Sequence, residues 1–524
     1  MTSINLNGVQ WPPADMKEIM RDLAQYEAWW TGRITEQQNP EPNTTTITTR
    51  PQRFISRLMF WTRRNNHPTD RPSRADIHVP LAADICETSA QLLYGQPPTL
   101  TRTTKEDTLT PTQQRINEYV NAGLWEALLE GAEAGAALGG RYHRVTWDDT
   151  RTTPFITTIA QDQAIPTFKW GKLQAVTFHT TLAPLNENKH AVYRHLETHQ
   201  LDANGNGTIQ HQLYEGTLNN LGQPIPLTDH PDTRPLADQV DAEGLITSGR
   251  TPGLNVVYFP NHTPQRRWRH NPKGRYLGRS DLEDVTGLLD ALDETWNSWM
   301  RDIRLAKSRV IAPRHMLEDA DGKPVFDLDQ ELFEAVEAPG DPNGGVNFQS
   351  VQFGIRFQEH AATINELVSN IIRSAGYSRA TFGENEAGIM TATEIKAREK
   401  NTYQTRDRKL RTETAALEQL VRKMLTIDEA VYATSGLDPD EVQVAFPDIA
   451  LDSPEAAAQT AATLAGARIA SLTTLVGMIH PDWDDDQIAG EVEAIRADNA
   501  TVTDPDQFHP LAGLLDAEPA SDRA

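Results

Sequence analysis

A long heptad stripe of apolar residues runs through the second half of this 524-residue chain. Its members recur at alternating steps of three and four residues, which places them along one face of an α-helix. They are Leu282, Val285, Leu289, Leu292, Trp296, Trp299, Ile303, Ala306 and Val310. Asp281, Glu283 and Asp284 lie at the start of the stripe and basic residues lie towards its end, an order that complements the helix dipole. The pattern predicts one helix over residues 281–312, ended by Pro313, whose apolar face needs a partner along its length.

A second heptad stripe lies over residues 357–375, after a short interruption. Its members are Phe357, Ala361, Ile364, Val368, Ile371 and Ala375. The interruption, residues 314–356, contains brief alternating apolar runs and a PGDPNGG loop, which are typical of β-strands and turns. The sequence therefore predicts two long helices that enclose a small β-containing insertion.

The N-terminal half combines helices with a β-rich region. Helical periodicity covers residues 14–38, 78–95 and 122–140. From residue 141 to 260, apolar residues alternate with polar ones between turn residues, which predicts β-strands joined by hairpins. The stretch from Asp202 to Gly207 is the clearest hairpin tip, and residues 217–254 are predicted to be surface loop. The fold class is therefore α+β.

The last third of the chain is predicted to be helical and is unevenly charged. A third long helix is expected over residues 393 to about 425, and it is the most basic element. Two more helices are predicted at 454–478 and 483–499, followed by a disordered tail at 501–524. Residues 427–524 contain 20 Asp and Glu but only three Arg, which gives −17 of the chain's net charge of −24. Such a surface suits cationic partners, repels nucleic acid, or serves solubility.

Several classes of protein are disfavoured by what the sequence lacks. Cys86 is the only cysteine, so neither an intramolecular disulfide nor a cysteine-based metal site can form, which suits a reducing cytoplasm. The sequence shows no signal-peptide pattern, and no apolar run approaches the ~18 residues of a membrane span. The phosphate-binding loop GxxxxGK[ST] and the motifs GxSxG and HExxH are also absent. We therefore expect no enzymatic activity, no cofactor and no membrane partner.

Residues 202–207 imitate the first half of a calcium-binding loop. Asp202, Asn204 and Asn206 have the required spacing, but Leu213 stands where the loop needs a bidentate glutamate. A hairpin turn uses the same residue types because they tolerate a positive φ. The turn is the simpler interpretation, and no metal is expected here.

Asp482, Asp484 and Asp486 form a second acidic cluster, with Gln487 in place of the glycine that a calcium loop requires. The start of a helix accounts for these carboxylates, because acidic residues there favour the helix dipole. The enzymatic alternative is a metal-dependent hydrolase that uses this cluster or the histidines of the β-rich region. Those histidines lack a metal-ligand spacing and are predicted to be exposed on strands. They are His190, His195, His199 and His211.

The paired tryptophans and the basic helix each allow two interpretations. Trp296 and Trp299 could stack on a nucleic-acid base, but on a heptad stripe they are more typical of packing or subunit contacts. The basic residues of helix 393–425 could bind phosphates. They are interleaved with acidic residues, a pattern that is also typical of ordinary i,i+4 ion pairs.

The order of these elements resembles that of the portal proteins, or head-to-tail connectors, of long-tailed double-stranded DNA bacteriophages. Several phrases are similar to portal proteins of phages that infect actinobacteria. These phrases are IHVPLAADICETSAQLLYGQPP (77–98), IPTFKWGKLQAVTF (165–178), RYLGRSDLEDVTGLLDALDETWNSWMRDIRLAKSRVIAP (275–313) and GYSRATFGENEAGIMTATEIKAREKNTYQTRDRKLR (376–411). The resemblance covers roughly residues 10 to 500 and depends on architecture rather than on a catalytic motif.

The resemblance implies a portal fold with a β-containing wing, a two-helix stem, a small β-containing clip, a long wing-spanning helix and a helical crown, assembled as a ring. It assigns an N-terminal helix and arm to 1–55, the wing to 56–280, the stem helices to 281–313 and 357–375, the clip to 314–356, the tunnel loop to 376–393, the long helix and its connection to 394–450, the crown to 451–500 and the tail to 501–524. In such a ring each stem helix packs against its neighbours, which would give the heptad stripes their partners.

The resemblance further implies a ring, usually a dodecamer, at one capsid vertex. The ring would be the channel for packaging and ejection of double-stranded DNA. It would bind the terminase large subunit and later the head–tail adaptor proteins, with the major capsid protein and scaffold as further partners. The protein would be located at the portal vertex of the virion, after assembly in the host cytoplasm. The alternative is a capsid-associated scaffold or binding protein that does not conduct DNA and forms no closed ring.

Three groups of residues are expected to carry these roles. Candidates for the DNA channel are Glu384, Asn385, Glu386, Ile389, Met390, Lys396, Arg398, Arg301, Arg304 and Lys307. Candidates for subunit contacts are Trp296, Trp299, Ile303, Ile364, Val368 and Ile371. Candidates for terminase or adaptor docking are the acidic residues Glu318, Asp319, Asp321, Asp327 and Asp329.

Overall fold

The computed structural model describes most of the chain, with gaps. The described residues are 9–34, 77–100, 110–148, 150–185, 191–246, 248–306, 309–313, 333–336, 349–351, 354–383, 392–447, 454–480, 483 and 485–502. The chain divides into two compact units, one formed by Met1–Asn385 with Glu399–Pro447, and one by Glu386–Arg398 with Asp448–Ala524. Helices and sheets are mixed in the first unit, whereas the described elements of the second unit are helices.

Helices of the N-terminal region pack around a stretch of small residues. They are α1 (Lys17–Thr31), α2 (Leu81–Tyr94), α3 (Pro111–Asn121) and α4 (Leu124–Leu138). The predicted helices at 14–38, 78–95 and 122–140 correspond to α1, α2 and α4. Helix α3 was not predicted, although Thr110 caps it by accepting the N–H of Gln113. In α4, a Cβ on Gly131 would lie 2.7 Å from the His143 ring, so the small residues permit a close approach of the following strand.

The predicted β-rich region forms two sheets. Its strands are β1 (Gly140–Thr146), β2 (Phe155–Ala160), β3 (Ala164–Lys169), β4 (Lys172–Leu182), β5 (Val192–Leu201), β6 (Gly207–Thr217), β7 (Asn220–Ile225) and β8 (Val256–Pro260). The strand orders are β2-β1-β8 and β3-β4-β5-β6-β7, with antiparallel neighbours throughout. Strand β7 lies inside the segment 217–254, so the prediction of a continuous surface loop there is wrong.

The predicted hairpin tip at Asp202 connects β5 and β6. The Asp202 carboxylate accepts the N–H of Asn204 at 2.8 Å and that of Asn206 at 2.9 Å. Gly205 has a φ of 83°, which the tight turn requires and which glycine adopts without strain. The turn interpretation of DANGNG is therefore confirmed, since the carboxylate is engaged by its own backbone.

The prediction that the strand histidines are exposed is wrong for His199 and His211, which are 1% and 6% exposed. His195 is half-buried and stacks on His211, with its Nε2 3.0 Å from the Nδ1 of His211. Glu197 is opposite His211 in the register of β5 and β6. Its carboxylate lies 2.6 Å from His199 Nε2 and forms an ion pair with Arg144 on β1. Polar side chains on β5 and β6 pair with each other and with β1, and these pairings allow their burial. His190 lies outside the described residues.

We expect acid to destabilise the chain through His211. Burial lowers the pKa of His211 to about 4, whereas a histidine of the unfolded chain titrates near ~6.5. Between these values the unfolded state binds a proton that the folded state does not. The free energy of unfolding therefore falls as the pH falls through this window, by roughly 3 kcal/mol for this residue.

Urea unfolding at about pH 7 and about pH 4.5 measures this loss directly. The variant His211→Gln should lose less stability between the two values than the unmodified protein. Asp162, whose pKa burial raises to about 6, acts in the opposite direction but is present in both proteins. Equal losses in the two proteins would contradict the assignment of the acid response to His211.

Two long helices follow the sheets, as predicted, but the first helix is shorter than the predicted one. They are α5 (Thr286–Leu305) and α6 (Phe357–Ala375). The prediction that the first helix spans 281–312 is wrong at both ends, because Asp281–Val285 precede it and Arg309–Pro313 form a strand. Between the helices lie β9 (Arg309–Pro313), β10 (Phe333–Val336) and β11 (Gln349–Val351). Strand β9 pairs in parallel with β10 and antiparallel with β11, so the insertion contains β-structure, as predicted.

The remaining helices continue to the end of the described chain. They are α7 (Ala392–Tyr432), α8 (Pro454–Gly466), α9 (Leu472–Ile479) and α10 (Asp485–Val502). Helix α7 is longer than predicted. The predicted helix at 454–478 is two helices, because Ser471 begins α9 by accepting the N–H of Thr474 at 3.2 Å. The acidic residues Asp482 and Asp484 and the tail at 503–524 lie outside the described residues.

The largest hydrophobic core of the first unit joins α1, α2, α4, α5 and α6. It includes Leu289 and Leu292 of α5 and Ile371 of α6, each at most 1% exposed. A second core places α7 against α2, α3, α4 and both β1 and β8. No helix among the described residues combines the length and apolar character that crossing a bilayer requires.

Candidate functional site

Helices α5 and α6 leave the core as a pair, and their burial decreases along the pair. The stripe residues Leu282, Val285, Leu289 and Leu292 are almost fully buried. Ile303, near the end of α5, is 39% exposed. On α6, Ile371 is fully buried and Phe357 at the other end is 59% exposed. Ile355, just before α6, is 43% exposed. The outer end of the pair therefore presents apolar side chains that the described chain does not cover.

Tryptophans fill the middle of the helix pair. The rings of Trp296 and Trp299 stack with centroids 5.3 Å apart and an interplanar angle of 26°. Trp299 also lies 6.0 Å from the His360 ring in a parallel arrangement and 5.7 Å from the Phe357 ring. Stacked aromatic rings contribute beyond their buried area. Trp299 thus holds α5 to α6 where the two helices leave the core.

An ionic contact fixes the outer end of the pair. Asp302 on α5 accepts a hydrogen bond from Arg356 at 3.0 Å and lies 3.0 Å from Nε2 of His360. The hydrogen bonds from His360 and Arg356 hold the pKa of the Asp302 carboxyl below its usual range, and the one from His360 has the larger effect. The contact places residue 302 level with residues 356–360, which fixes the register of the two helices.

The middle of α5 is also tied to the segment before α2. Asp293 accepts the backbone N–H of Val79 at 3.0 Å and lies 2.8 Å from Nδ1 of His78. Asn297 exchanges two hydrogen bonds with the backbone of Ile77, at 2.9 and 3.1 Å. The face of α5 that carries Asp293 and Asn297 is therefore occupied by the chain itself.

The dipole argument predicted that Asp281 lies in the first turn of α5, and this is wrong. Asp281 precedes the helix and lies at the base of the helix pair. It is buried, and its Oδ2 accepts hydrogen bonds from Lys409 Nζ at 2.7 Å and from the Tyr377 hydroxyl at 2.8 Å. Its Oδ1 accepts one from Asn261 Nδ2 at 2.8 Å and lies 3.1 Å from Nε2 of His262. A carboxylate has about four acceptor positions, and all are used here. Despite its burial, Lys409 and His262 hold its pKa far below its usual range.

The structure separates the basic residues of α7 into buried and exposed sets. Arg406 donates to the carbonyls of Leu92 and Pro447, Lys409 binds Asp281, and Lys423 donates to the Thr251 hydroxyl and nearby carbonyls. These three side chains stabilise the fold and are not available to phosphates. Their partners lie more than a hundred residues away in sequence, except for Pro447, so helical spacing gave no signal for them.

The candidate channel residues are placed only in part. Arg301 is on α5 and exposed, and Arg304 is on the same helix. Lys396 and Arg398 lie on α7. Lys307 and the loop candidates lie outside the described residues. Those loop candidates are Glu384, Asn385, Glu386, Ile389 and Met390.

The candidate contact residues divide by burial. Ile364 and Ile371 are 9% and 0% exposed, so they pack inside the chain's own core. Trp296, Trp299 and Val368 are half-buried against that core, and Ile303 is exposed. We keep the subunit-contact prediction for the last four only. The candidate docking residues all lie outside the described residues. They are Glu318, Asp319, Asp321, Asp327 and Asp329.

The sequence matches one protein family over most of its length. The profile described as "Phage portal protein, SPP1 Gp6-like" matches residues 48–503. No curated protein matches the chain.

Solved structures with low similarity come from gene transfer agent (GTA) particles. A chain from the virion of the native particle has a TM-score of 0.37 and 12% identity, covering 76% of this chain and 89% of its own. A chain from the neck of the empty particle, computed with C6 symmetry, has a TM-score of 0.39 and 13% identity, covering 77% and 91%. A chain from the neck of the native particle, computed with C12 symmetry, has a TM-score of 0.33 and 11% identity, covering 77% and 90%. These TM-scores are low, and the assignment depends on the family match.

Proposed function

The chain belongs to the SPP1 Gp6-like family of phage portal proteins, and from this membership we propose that it forms a closed ring at one capsid vertex, through which the genome enters and leaves. In this proposal α5 and α6 are the stem, the insertion with β9–β11 is the clip, and the segment 376–393 is the tunnel loop. The β-rich region is the wing, α7 spans it, and α8–α10 are the crown. The ring is non-enzymatic and obtains its motor activity from the terminase large subunit.

The structural observation that supports this proposal is the uncovered apolar end of the helix pair. Ile303, Ile355 and Phe357 are exposed in a single chain, next to the half-buried Trp299. Neighbouring copies in a ring would cover these side chains, because the same head-to-tail contact repeats between each subunit and the next. The exposed Arg301 on α5 and Glu359 on α6 lie at similar levels, since Asp302 contacts both Arg356 and His360. Their opposite charges suit a contact between α5 of one subunit and α6 of the next.

The charge of the chain supports passage of DNA without retention. Duplex DNA carries one negative charge per ~1.7 Å, so a basic lining would hold it by counterion release. The chain's net charge is −24, and an acidic lining repels DNA over roughly 8 Å at physiological salt. A few cations, with Arg301, Arg304 and Lys307 as candidates, would make brief phosphate contacts. The loop candidates Glu384 to Met390 would reach furthest towards the duplex.

Partner contacts are assigned to the clip and the wing. The acidic residues between Glu318 and Asp329 would bind the terminase during packaging and the adaptor proteins afterwards. The wing and crown would contact the major capsid protein and the scaffold. A capsid-associated protein that does not conduct DNA is the competing function, and it is distinguished by the absence of a central opening.

Negative-stain electron microscopy of the purified full-length protein tests the proposal. We expect closed rings of about twelve subunits with an open centre, because a family of channel-forming rings closes by cyclic symmetry. Compact oligomers of low order without an opening would contradict it. If only monomers are seen, imaging is repeated after co-expression with the capsid and scaffold proteins, and failure to form rings there would also contradict it.

A further inference from the structure

The turn between β3 and β4 presents a tryptophan to solvent. Lys169 pairs with Lys172 across the two antiparallel strands, so Trp170 and Gly171 form a two-residue turn. Their φ values are 53° and 78°, the left-handed pair that such a hairpin requires and that Asn-Gly usually supplies. Trp170 is 89% exposed, the highest value among the large apolar side chains of the described residues. Its indole therefore contributes almost nothing to the core of the chain.

The backbone of this turn is strained by the residue that it carries. A bulky side chain in the left-handed conformation brings its Cβ close to the following carbonyl oxygen. Asparagine at position 170 would form the same turn with less strain and would not expose an indole to water. Backbone strain of this kind concentrates at positions whose side chain has a task beyond the local fold. Strain and exposure together indicate that the indole of Trp170 contacts something other than its own chain.

An apolar cavity of about 270 Å³ lies at the opposite edge of the same sheet. Strand β3 is one edge of the five-stranded sheet and β7 is the other, four strand spacings or roughly 19 Å away. The cavity is formed by β6, the end of β7 and the segment 237–244, and it has room for one aromatic side chain. Its apolar lining includes Leu213, Ile225, Leu227, Ala237 and Val240. The sheet therefore carries a projecting indole at one edge and an apolar recess at the other.

The two edges of the sheet also carry opposite charges. Lys169 and Lys172 flank the indole and are exposed, and residues 165–176 include no acidic residue. The segment 227–244 beside the cavity contains five acidic residues and one arginine. Its exposed carboxylates are those of Asp229, Asp232, Asp238 and Glu243. Opposite charges around an aromatic side chain and a recess favour specific association of the two surfaces.

We infer that Trp170 of one subunit enters the cavity beside β7 of the next subunit, with Lys169 and Lys172 against the acidic segment 227–244. The two surfaces differ and lie at opposite edges of the sheet, so the contact is head-to-tail and repeats around a ring. The inference rests on the proposed function for the closure of that ring, and it adds a contact in the β-rich region to the one at α5 and α6. Tryptophans that fill a pocket of the partner are typical anchors of protein interfaces.

Crosslinking between two different full-length variants tests this contact. One variant carries Lys172→Cys, the other carries Ala242→Cys beside the cavity, and both keep Trp170. The only native cysteine, Cys86, is buried, so a short bismaleimide reacts at the introduced thiols. We expect a crosslinked dimer when the two variants are co-expressed and none from either variant alone, because a head-to-tail contact brings the two different positions together. A crosslink within one chain is excluded, since neither chain carries both thiols.

The substitution Trp170→Asn separates the contact from folding. It relieves the strain of the turn, so it should not lower the stability of the single chain. It should nevertheless raise the concentration at which half of the oligomer dissociates about thirtyfold, the effect of removing a principal anchor from an interface. The matched control is Leu218→Ala, which removes a side chain that is 48% exposed at the β6–β7 turn, at the other end of the strands. This control should leave dissociation unchanged.

Exchange of the charges tests the orientation of the contact. Lys169→Glu with Lys172→Glu should promote dissociation, and so should Asp238→Lys with Glu243→Lys, because each pair places like charges against each other. The combined variant restores opposite charges and should recover ring stability. All four side chains are exposed in the single chain, so its folding should be unchanged. No recovery in the combined variant would overturn the pairing of these two surfaces.

Absence of the mixed crosslink in every state of assembly would overturn the inference, and so would a crosslink from the Lys172→Cys variant alone, which indicates a symmetric contact. A crosslink from Lys172→Cys to the capsid protein in place of a second copy would overturn it as well. Imaging the same preparations separates this result from the proposed function. Rings with an opening but no mixed crosslink would leave the proposed channel in place without this contact. A mixed crosslink in oligomers without an opening would do the reverse.

Discussion

Replacing Glu413 by alanine is expected to lower the free energy of unfolding by about 3–5 kcal/mol, the cost of leaving a buried charge unpaired. Glu413 on α7 forms an ion pair with Arg141 on β1, and both side chains are 2% exposed. The Tyr94 hydroxyl also donates to Glu413 at 2.6 Å. Without the carboxylate, the Arg141 guanidinium keeps its contact with His143 Nε2 at 2.9 Å but loses its counter-charge. Because α7, α2 and β1 meet at this pair, the loss should destabilise the whole first unit.

Chemical denaturation of Glu413→Ala, compared with the unmodified protein, measures this loss. The matched control is Asp284→Ala, which removes the partner of Arg266 in a pair whose side chains are 47% and 57% exposed. Exposed pairs contribute about 0–1 kcal/mol, since water solvates both charges. A loss below about 1 kcal/mol for Glu413→Ala would show that the Arg141–Glu413 pair is not a principal support of the fold.

The helices and strands were predictable because their signal is local. Heptad spacing located α5 and α6, and the alternation of apolar and polar residues located β1, β2, β4, β5 and β6. The start of α5 was placed too early because Leu282 and Val285 continue the apolar spacing of the stripe, although they precede the helix. These two residues enter the same core as the helix, and periodicity does not distinguish a helical turn from an irregular segment that is buried beside it.

The ionic contacts could not be predicted because their partners are distant in sequence. Asp281 and Lys409 are 128 residues apart, and Arg141 and Glu413 are 272 residues apart. From sequence, Asp281 had a sufficient local explanation at a helix start, and Glu413 had one among i,i+4 ion pairs. Tertiary packing replaced both explanations with buried pairs. The same reason accounts for His199 and His211, whose burial depends on partners from β1 and from each other's strands.

Replacing Trp299 by alanine is expected to dissociate the proposed ring. In the single chain, Trp299 stacks on Trp296 and His360 and contacts Phe357. Removal of a buried tryptophan costs about 3–5 kcal/mol, and a half-buried one costs part of that within the chain. The remainder should appear at the subunit contact, because the adjacent Phe357 and Ile303 are exposed. Repeated at every contact of a ring, even a modest loss per contact favours the dissociated subunits.

Two companion variants separate assembly from folding. Trp147→Ala removes another half-buried tryptophan, packed against the second core and away from the helix pair, so it should lower chain stability while rings persist. Phe357→Ser removes a side chain that is 59% exposed in the single chain and whose ring lies 5.7 Å from that of Trp299, so chain stability should fall by no more than about 1 kcal/mol. If Phe357 lies at the contact, its replacement by a polar residue should nevertheless reduce the fraction of rings, as measured by single-particle counting over a dilution series. Rings that withstand dilution equally in Trp299→Ala, Phe357→Ser and the unmodified protein would show that the outer end of the helix pair faces solvent rather than a neighbouring subunit.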